Sequence, residues 1–224
     1  MEQLHINIEH NQGVAILMQE PNHTFNQVKD RIFLRLLGKY EFEEISQNRL
    51  YKTFLDLNIA YYVLSDEYND CQKTEEITEH HLLQWNVNSH AIHEIACENY
   101  TSKTQAEFLT LKQVMEQTTN QLFDLEAIEE DVMYILSNAE RLHGSTCMLM
   151  PGVLEHIAGL IQDDYYLLPS SIHEVIIVPA SCSPKRKELD DMIREINDSQ
   201  LKREEVLSNH AYFYHRGKAM LTYQ

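Results

Sequence analysis

Between Phe54 and Leu64 the chain is apolar at nearly every consecutive position, interrupted only by Asp56 and Asn58. Successive side chains of a β-strand point to opposite faces, so a strand of this composition has to bury both of them. It must run through the middle of a covered sheet, with the two polar positions sharing one face. A chain of 224 residues can supply that cover without disulfides or metal, and its 6 glycines and 5 prolines exclude collagen-like and low-complexity classes.

Other segments follow the same two periods. Leu4 to Ile8 and Val14 to Met18 read as short strands joined at Gly13. From Thr24 the positions Phe25, Val28, Ile32 and Leu36 recur at helical spacing, with Asn22 and Thr24 as caps and Gly38 as the stop. Glu76 to Leu83 reads as a strand or a passage from strand to helix. Ser89 to Asn99 and Phe108 to Met115 read as helices, and Asp131 to Leu136 as a strand. A helix is expected over 147–161 with Leu149, Val153, Leu154, Ile157 and Leu160 inward, then strands at Tyr165 to Leu168 and Val175 to Val178. Ser183-Pro184 should open a helix with Leu189, Met192, Ile193 and Ile196 buried, and a hairpin across Arg216-Gly217 closes the chain. Trp85 reads as a core anchor and Asn99 as a cap. Strands and helices mixed without strict alternation predict an α+β fold, mainly antiparallel, with helices packed on the strands. The expected organisation is a single domain over 1–224, divisible into an acidic part (1–125) and a more regular part (126–224).

Charge is unevenly spread. The chain carries 18 basic and 35 acidic residues, a net charge of −17, which disfavours contact with a phosphate backbone or an anionic membrane. Residues 53–140 hold 3 of the basic and 17 of the acidic ones. Such a surface either keeps the protein soluble or meets a basic partner. Candidate contacts are Asp66, Glu67, Asp70, Glu75, Glu76 and Glu79 in one polar stretch, and Glu126, Glu129, Glu130 and Asp131 in another.

Catalytic patterns are sparse. Ser170, Ser171, His173 and Glu174 bring together the residue types of a nucleophile, a base and an orienting carboxylate. If the strand begins at Ile172, however, His173 and Glu174 point to opposite sides, and the Gly-x-Ser-x-Gly setting of a nucleophile elbow is missing. A tight turn with hydroxyls bonded to nearby backbone is the plainer reading. His90, His93, Glu94 and Cys97 fall at i, i+3, i+4 and i+7, on one helix face expected to be solvated; they are zinc-type donors but need partners from elsewhere. The glycines are too far apart for a dinucleotide or P-loop motif, so no cofactor is expected. Cys71, Cys97, Cys147 and Cys182 form no C-x-x-C pair and read as free thiols of a reducing compartment. With no basic region followed by an apolar run at the N-terminus, and no apolar run near the roughly 20 residues of a membrane span, the expected setting is the cytoplasm.

The segment Leu168-Pro169-Ser170-Ser171-Ile172-His173-Glu174-Val175, with Met133 to Asn138, Pro151-Gly152-Val153-Leu154 and Glu205-Val206-Leu207-Ser208, resembles an uncharacterised family of bacterial intracellular proteins found mostly in gut Firmicutes. The resemblance runs from about residue 25 to about residue 215. It implies a shared fold and a bacterial cytosolic origin, fits carriage on a mobile element, and brings no reaction with it. Members of that family usually carry a longer region before the first helix, and the acidity of the middle segment is greater than the resemblance requires. The expected function is therefore non-enzymatic binding of a basic protein partner, such as inhibition of a nucleic-acid-binding protein by mimicry of its ligand. The alternative is a small hydrolase or metal-dependent enzyme at the Ser170/Ser171/His173 turn or the His90/His93/Cys97 face.

Overall fold

The computed structural model describes residues 23–38, 49–64, 74–118 and 133–223. The expected strands between Leu4 and Met18, and the start of a strand at Asp131, lie outside them.

The first sheet comprises β1 (Ile32–Leu37), β2 (Tyr51–Phe54), β3 (Leu57–Leu64) and β4 (Thr74–Glu76). β3 is central, with β1 along one side and β2 and β4 in tandem along the other. A tight turn at Leu55-Asp56 reverses the chain between β2 and β3, with Leu55 at φ 56.

β1 corrects the expected helix over 24–36. Only α1 (Phe25–Val28) is α-helical, and a 3-10 turn over Lys29–Arg31 leads directly into the strand. Ile32, Leu34 and Leu36 satisfy the two-residue period as well as Val28, Ile32 and Leu36 satisfy the helical one, and β3 offers backbone partners that a helix would leave unused. The outer edge of β1 is engaged too, since Leu36 N donates to Thr146 Oγ1 at 3.2 Å.

The second sheet has β5 (Ala106–Thr110), β6 (Tyr134–Asn138), β7 (Tyr165–Leu168), β8 (Val175–Pro179), β9 (Tyr212–His215) and β10 (Met220–Thr222) in the order β10-β9-β7-β8-β6-β5. Among the described residues every ladder of both sheets is antiparallel, giving an α+β architecture. Phe108 and Leu109, expected in a helix, lie in β5 opposite Leu136 and Ile135; the helix α4 (Leu111–Thr118) starts only after the strand.

Among the described residues the remaining α-helices are α2 (Glu79–Trp85), α3 (Ser89–Lys103), α5 (Val153–Ile161) and α6 (Arg186–Gln200). Asn88 caps α3, its side chain accepting from Ala91 N at 2.8 Å, and the helix buries Ile92, Ala96 and Tyr100. Asn99 is a staple rather than a cap, because Nδ2 donates to Lys29 O at 2.7 Å and Ile32 O at 2.9 Å. The single helix expected over 147–161 is broken: Gly144–Leu149 is a 3-10 segment, Gly152 turns the chain at φ 76, and α5 follows with Leu160 outward. In α6 Lys185, not Ser183, occupies the N-cap position, and Asn197 joins Leu189 and Ile193 on the buried side while Met192 is exposed. Trp85 is half-buried against Phe25 and His81, with Nε1 donating to His23 O at 3.0 Å.

One apolar core is shared by both sheets, α3 and α5, from Leu34, Ile59 and Tyr61 to Tyr165, Leu167, Val175 and Ile177. The alternate positions Leu168 and Val178 face the other way and meet Leu189, Ile193 and Ala211 in a second, smaller core. Among the described residues no helix is long and apolar enough to cross a membrane.

Candidate functional site

Where β2 and β3 approach β9 and β10, a cleft of about 440 Å³ opens between the sheets. α3 supplies His93 and Cys97, β2 supplies Lys52 and Phe54, and the far wall is Met148, Met150, Leu154 and Leu221. The strand period brings these groups to one place: Lys52 sits opposite Ile59 across the β2–β3 ladder, so it shares a face with Ile59 and Tyr61, the face covered by α3.

His93 is held from both sides. Lys52 Nζ lies 3.0 Å from Nε2, and Tyr61 Oη lies 2.9 Å from Nδ1. An ammonium can only donate, so Nε2 accepts and the ring proton sits on Nδ1, pointing at Tyr61. Burial, reinforced by the Lys52 and His90 charges, holds His93 below the ordinary imidazole range, which agrees with a neutral ring. Burial likewise raises the Tyr61 phenol, so it remains a neutral partner.

Cys97 Sγ stands 3.8 Å from Nε2 and 3.9 Å from Nδ1 of His93. A sulfur equidistant from both nitrogens is aligned with neither lone pair, and both nitrogens are already engaged. Burial pushes the thiol pKa up against the pull of Lys52. A protonated thiol is a poor nucleophile, so the pair lacks the arrangement of a cysteine–histidine catalytic couple.

The helix-face donors do not converge. His90 and Glu94 pair at 3.4 Å on the exposed side of α3, whereas His93 and Cys97 turn toward the cleft, half-buried rather than solvated. Among the described residues no group of three or more His, Cys, Asp or Glu side chains is placed to hold a metal ion.

At the Pro169–His173 turn, Ser170 and Ser171 are buried. Ser171 Oγ accepts from His173 N at 3.0 Å, facing its backbone rather than its ring. The turn is laced to 205–208: Ile172 N donates to Glu205 O, Leu207 N to Ser170 O and Ser208 N to Pro169 O, each at 2.9 Å. The His173 ring accepts from His143 N at 3.4 Å. Glu174 is half-buried beside it at the start of β8.

Of the acidic candidates, Glu76 is committed inside the fold, accepting from Arg49 Nε at 3.0 Å and lying 3.8 Å from Arg35. Glu75 lies 3.3 Å from His81 Nε2, and Glu79 is exposed in the first turn of α2. Asp66, Glu67, Asp70, Glu126, Glu129, Glu130 and Asp131 lie outside the described residues.

The sequence singled out His93 and Cys97 but not Lys52 or Tyr61, which come from strands 41 and 32 positions away from His93. The available signal was the alternation that places Lys52, Ile59 and Tyr61 on one face once β2 and β3 are paired.

These features define an α+β protein of two antiparallel sheets over a shared core, with an amphipathic cleft at their junction. By sequence the chain belongs to a family of unknown function (DUF5688), matched over residues 2–216. No curated protein and no solved structure matches it.

Proposed function

We propose that this protein acts by binding rather than by catalysis, recognising a basic protein partner in the bacterial cytosol through the carboxylates of its middle segment. The observation that carries this reading is the excess of 17 acidic over 3 basic residues within 53–140. Glu79, Glu94, Glu98, Glu116 and Glu140 of that stretch are exposed. Carboxylates spaced over a surface imitate phosphates, steer a cationic partner and make association salt-sensitive. A groove that ordinarily holds nucleic acid is the natural counterpart, as for a mobile-element-encoded anti-defence factor. The engaged hydroxyl of Ser171 and the protonated Cys97 thiol favour binding over hydrolysis.

The test is affinity capture from the native bacterium at low salt, with wild-type protein and with Glu126, Glu129 and Glu130 reversed to lysine. A basic nucleic-acid-binding protein should be retained by the wild type, released by salt and by its own nucleic acid, and lost with the reversed variant. Capture of the same proteins by both forms, insensitive to salt, defeats the proposal.

A further inference from the structure

We propose that the cleft between the two sheets binds a monocarboxylic acid with an apolar acyl or aryl body, its carboxylate on Lys52 and its body against Phe54, Met148, Met150, Leu154 and Leu221. This goes beyond the acidic-surface reading and uses none of its residues.

Several features of the cleft select that chemistry. Lys52 is the one Lys or Arg among the described residues lining it, and Nζ gives one of its three donors to His93 Nε2, leaving two for a ligand. The His93 ring that accepts from this ammonium is itself anchored by the buried Tyr61 hydroxyl, which orients the Lys52 head at the mouth of the cleft. The rest of the lining is largely aliphatic and thioether, and methionines adapt to ligands of varied shape. At about 440 Å³ the space falls in the range of small-molecule sites. Glu155 also lines the cleft and disfavours a second negative group, which selects a single carboxylate over a dicarboxylate or a phosphate ester.

Cys97 in the same lining supplies a local reporter. Sodium octanoate is titrated calorimetrically into the full chain, with 1-octanol as the uncharged control and octyl phosphate as the dianionic one. In parallel, alkylation by N-ethylmaleimide is followed at Cys97 and, as reference, at the exposed Cys182. Octanoate should bind saturably, at least about tenfold more tightly than either control, and slow alkylation at Cys97 alone. The exposed Lys52→Met variant should lose the preference for acid over alcohol, and Lys52→Arg should keep it. Absence of saturable octanoate binding, equal affinity for acid and alcohol, unprotected Cys97, or a preference unchanged in Lys52→Met overturns the assignment. Tighter binding of octyl phosphate overturns the ligand class.

Discussion

Ser208 Oγ donates to Asp56 Oδ2 at 2.8 Å across 152 positions of chain. Asp56 lies in the turn between β2 and β3, and its second carboxylate oxygen accepts from the hydroxyl of the buried Tyr212 on β9. One carboxylate thus ties the turn of the first sheet to the second sheet. Hydrogen bonds to a charged acceptor contribute about 1.5–3 kcal/mol each. Asp56→Ala should therefore lower the unfolding free energy more than Ser208→Ala or Tyr212→Phe alone. A double-mutant cycle on Asp56 and Ser208, followed by urea denaturation, should give a coupling energy of about 1 kcal/mol or more.

Two glycines are fixed by close approach and one by backbone angle. A Cβ at Gly144 would fall 2.1 Å from Ser137 Oγ and 2.5 Å from His173 O, and one at Gly38 would fall 2.0 Å from Val206 O. Gly152 has open space around it but sits at φ 76. Gly144→Ala and Gly38→Ala should each cost about 3 kcal/mol or more, because a backbone oxygen cannot rotate away. Gly152→Ala should cost only about 1–2 kcal/mol. Thermal melting of the three variants gives the order directly, and a Gly152 variant as damaged as the other two would contradict the steric argument.

Acid should weaken the fold through His143. Burial, then the charges of Arg35 and His173, lower its pKa from 6.5 to about 4. The unfolded chain therefore binds a proton that the folded one refuses between those values, so stability is intact above pH 6.5 and falls as pH drops toward 4. The ring is only partly shielded, so the expected loss is about 2 kcal/mol rather than the full shift. His143→Asn keeps the left-handed backbone at φ 51 within reach and should flatten the pH dependence over this window. Urea midpoints at pH 7 and pH 4.5 measure the difference.

Ser171→Ala removes the acceptor for His173 N, a single hydrogen bond worth about 1 kcal/mol. The variant should lose that much stability and still capture the basic partner as well as the wild type does. A variant that melts like wild type while losing all activity in a cell assay would favour the hydrolase reading.

Local periodicity is enough where one period fits and the other does not. The doubly apolar run over Leu57–Leu64, the paired β7 and β8, the closing hairpin and the stripe of α3 follow from their own side chains, because burial on a face depends on spacing along a single element; the strand expected from Phe54 is instead broken by the Leu55-Asp56 turn, so Asp56 does not share a strand face with Asn58. Residues 32–37 and 106–110 carry patterns that serve helix and strand alike, and there the outcome rests on ladder partners 21 or more positions away. The cleft is a more remote consequence still. Lys52, Tyr61, His93 and Cys97 carry no joint signature in the chain, since their proximity exists only after β2 and β3 have paired and α3 has docked on them. Folding alone also separates His90 and Glu94 from His93 and Cys97, because docking α3 buries one side of a helix face that spacing by itself treats as uniform.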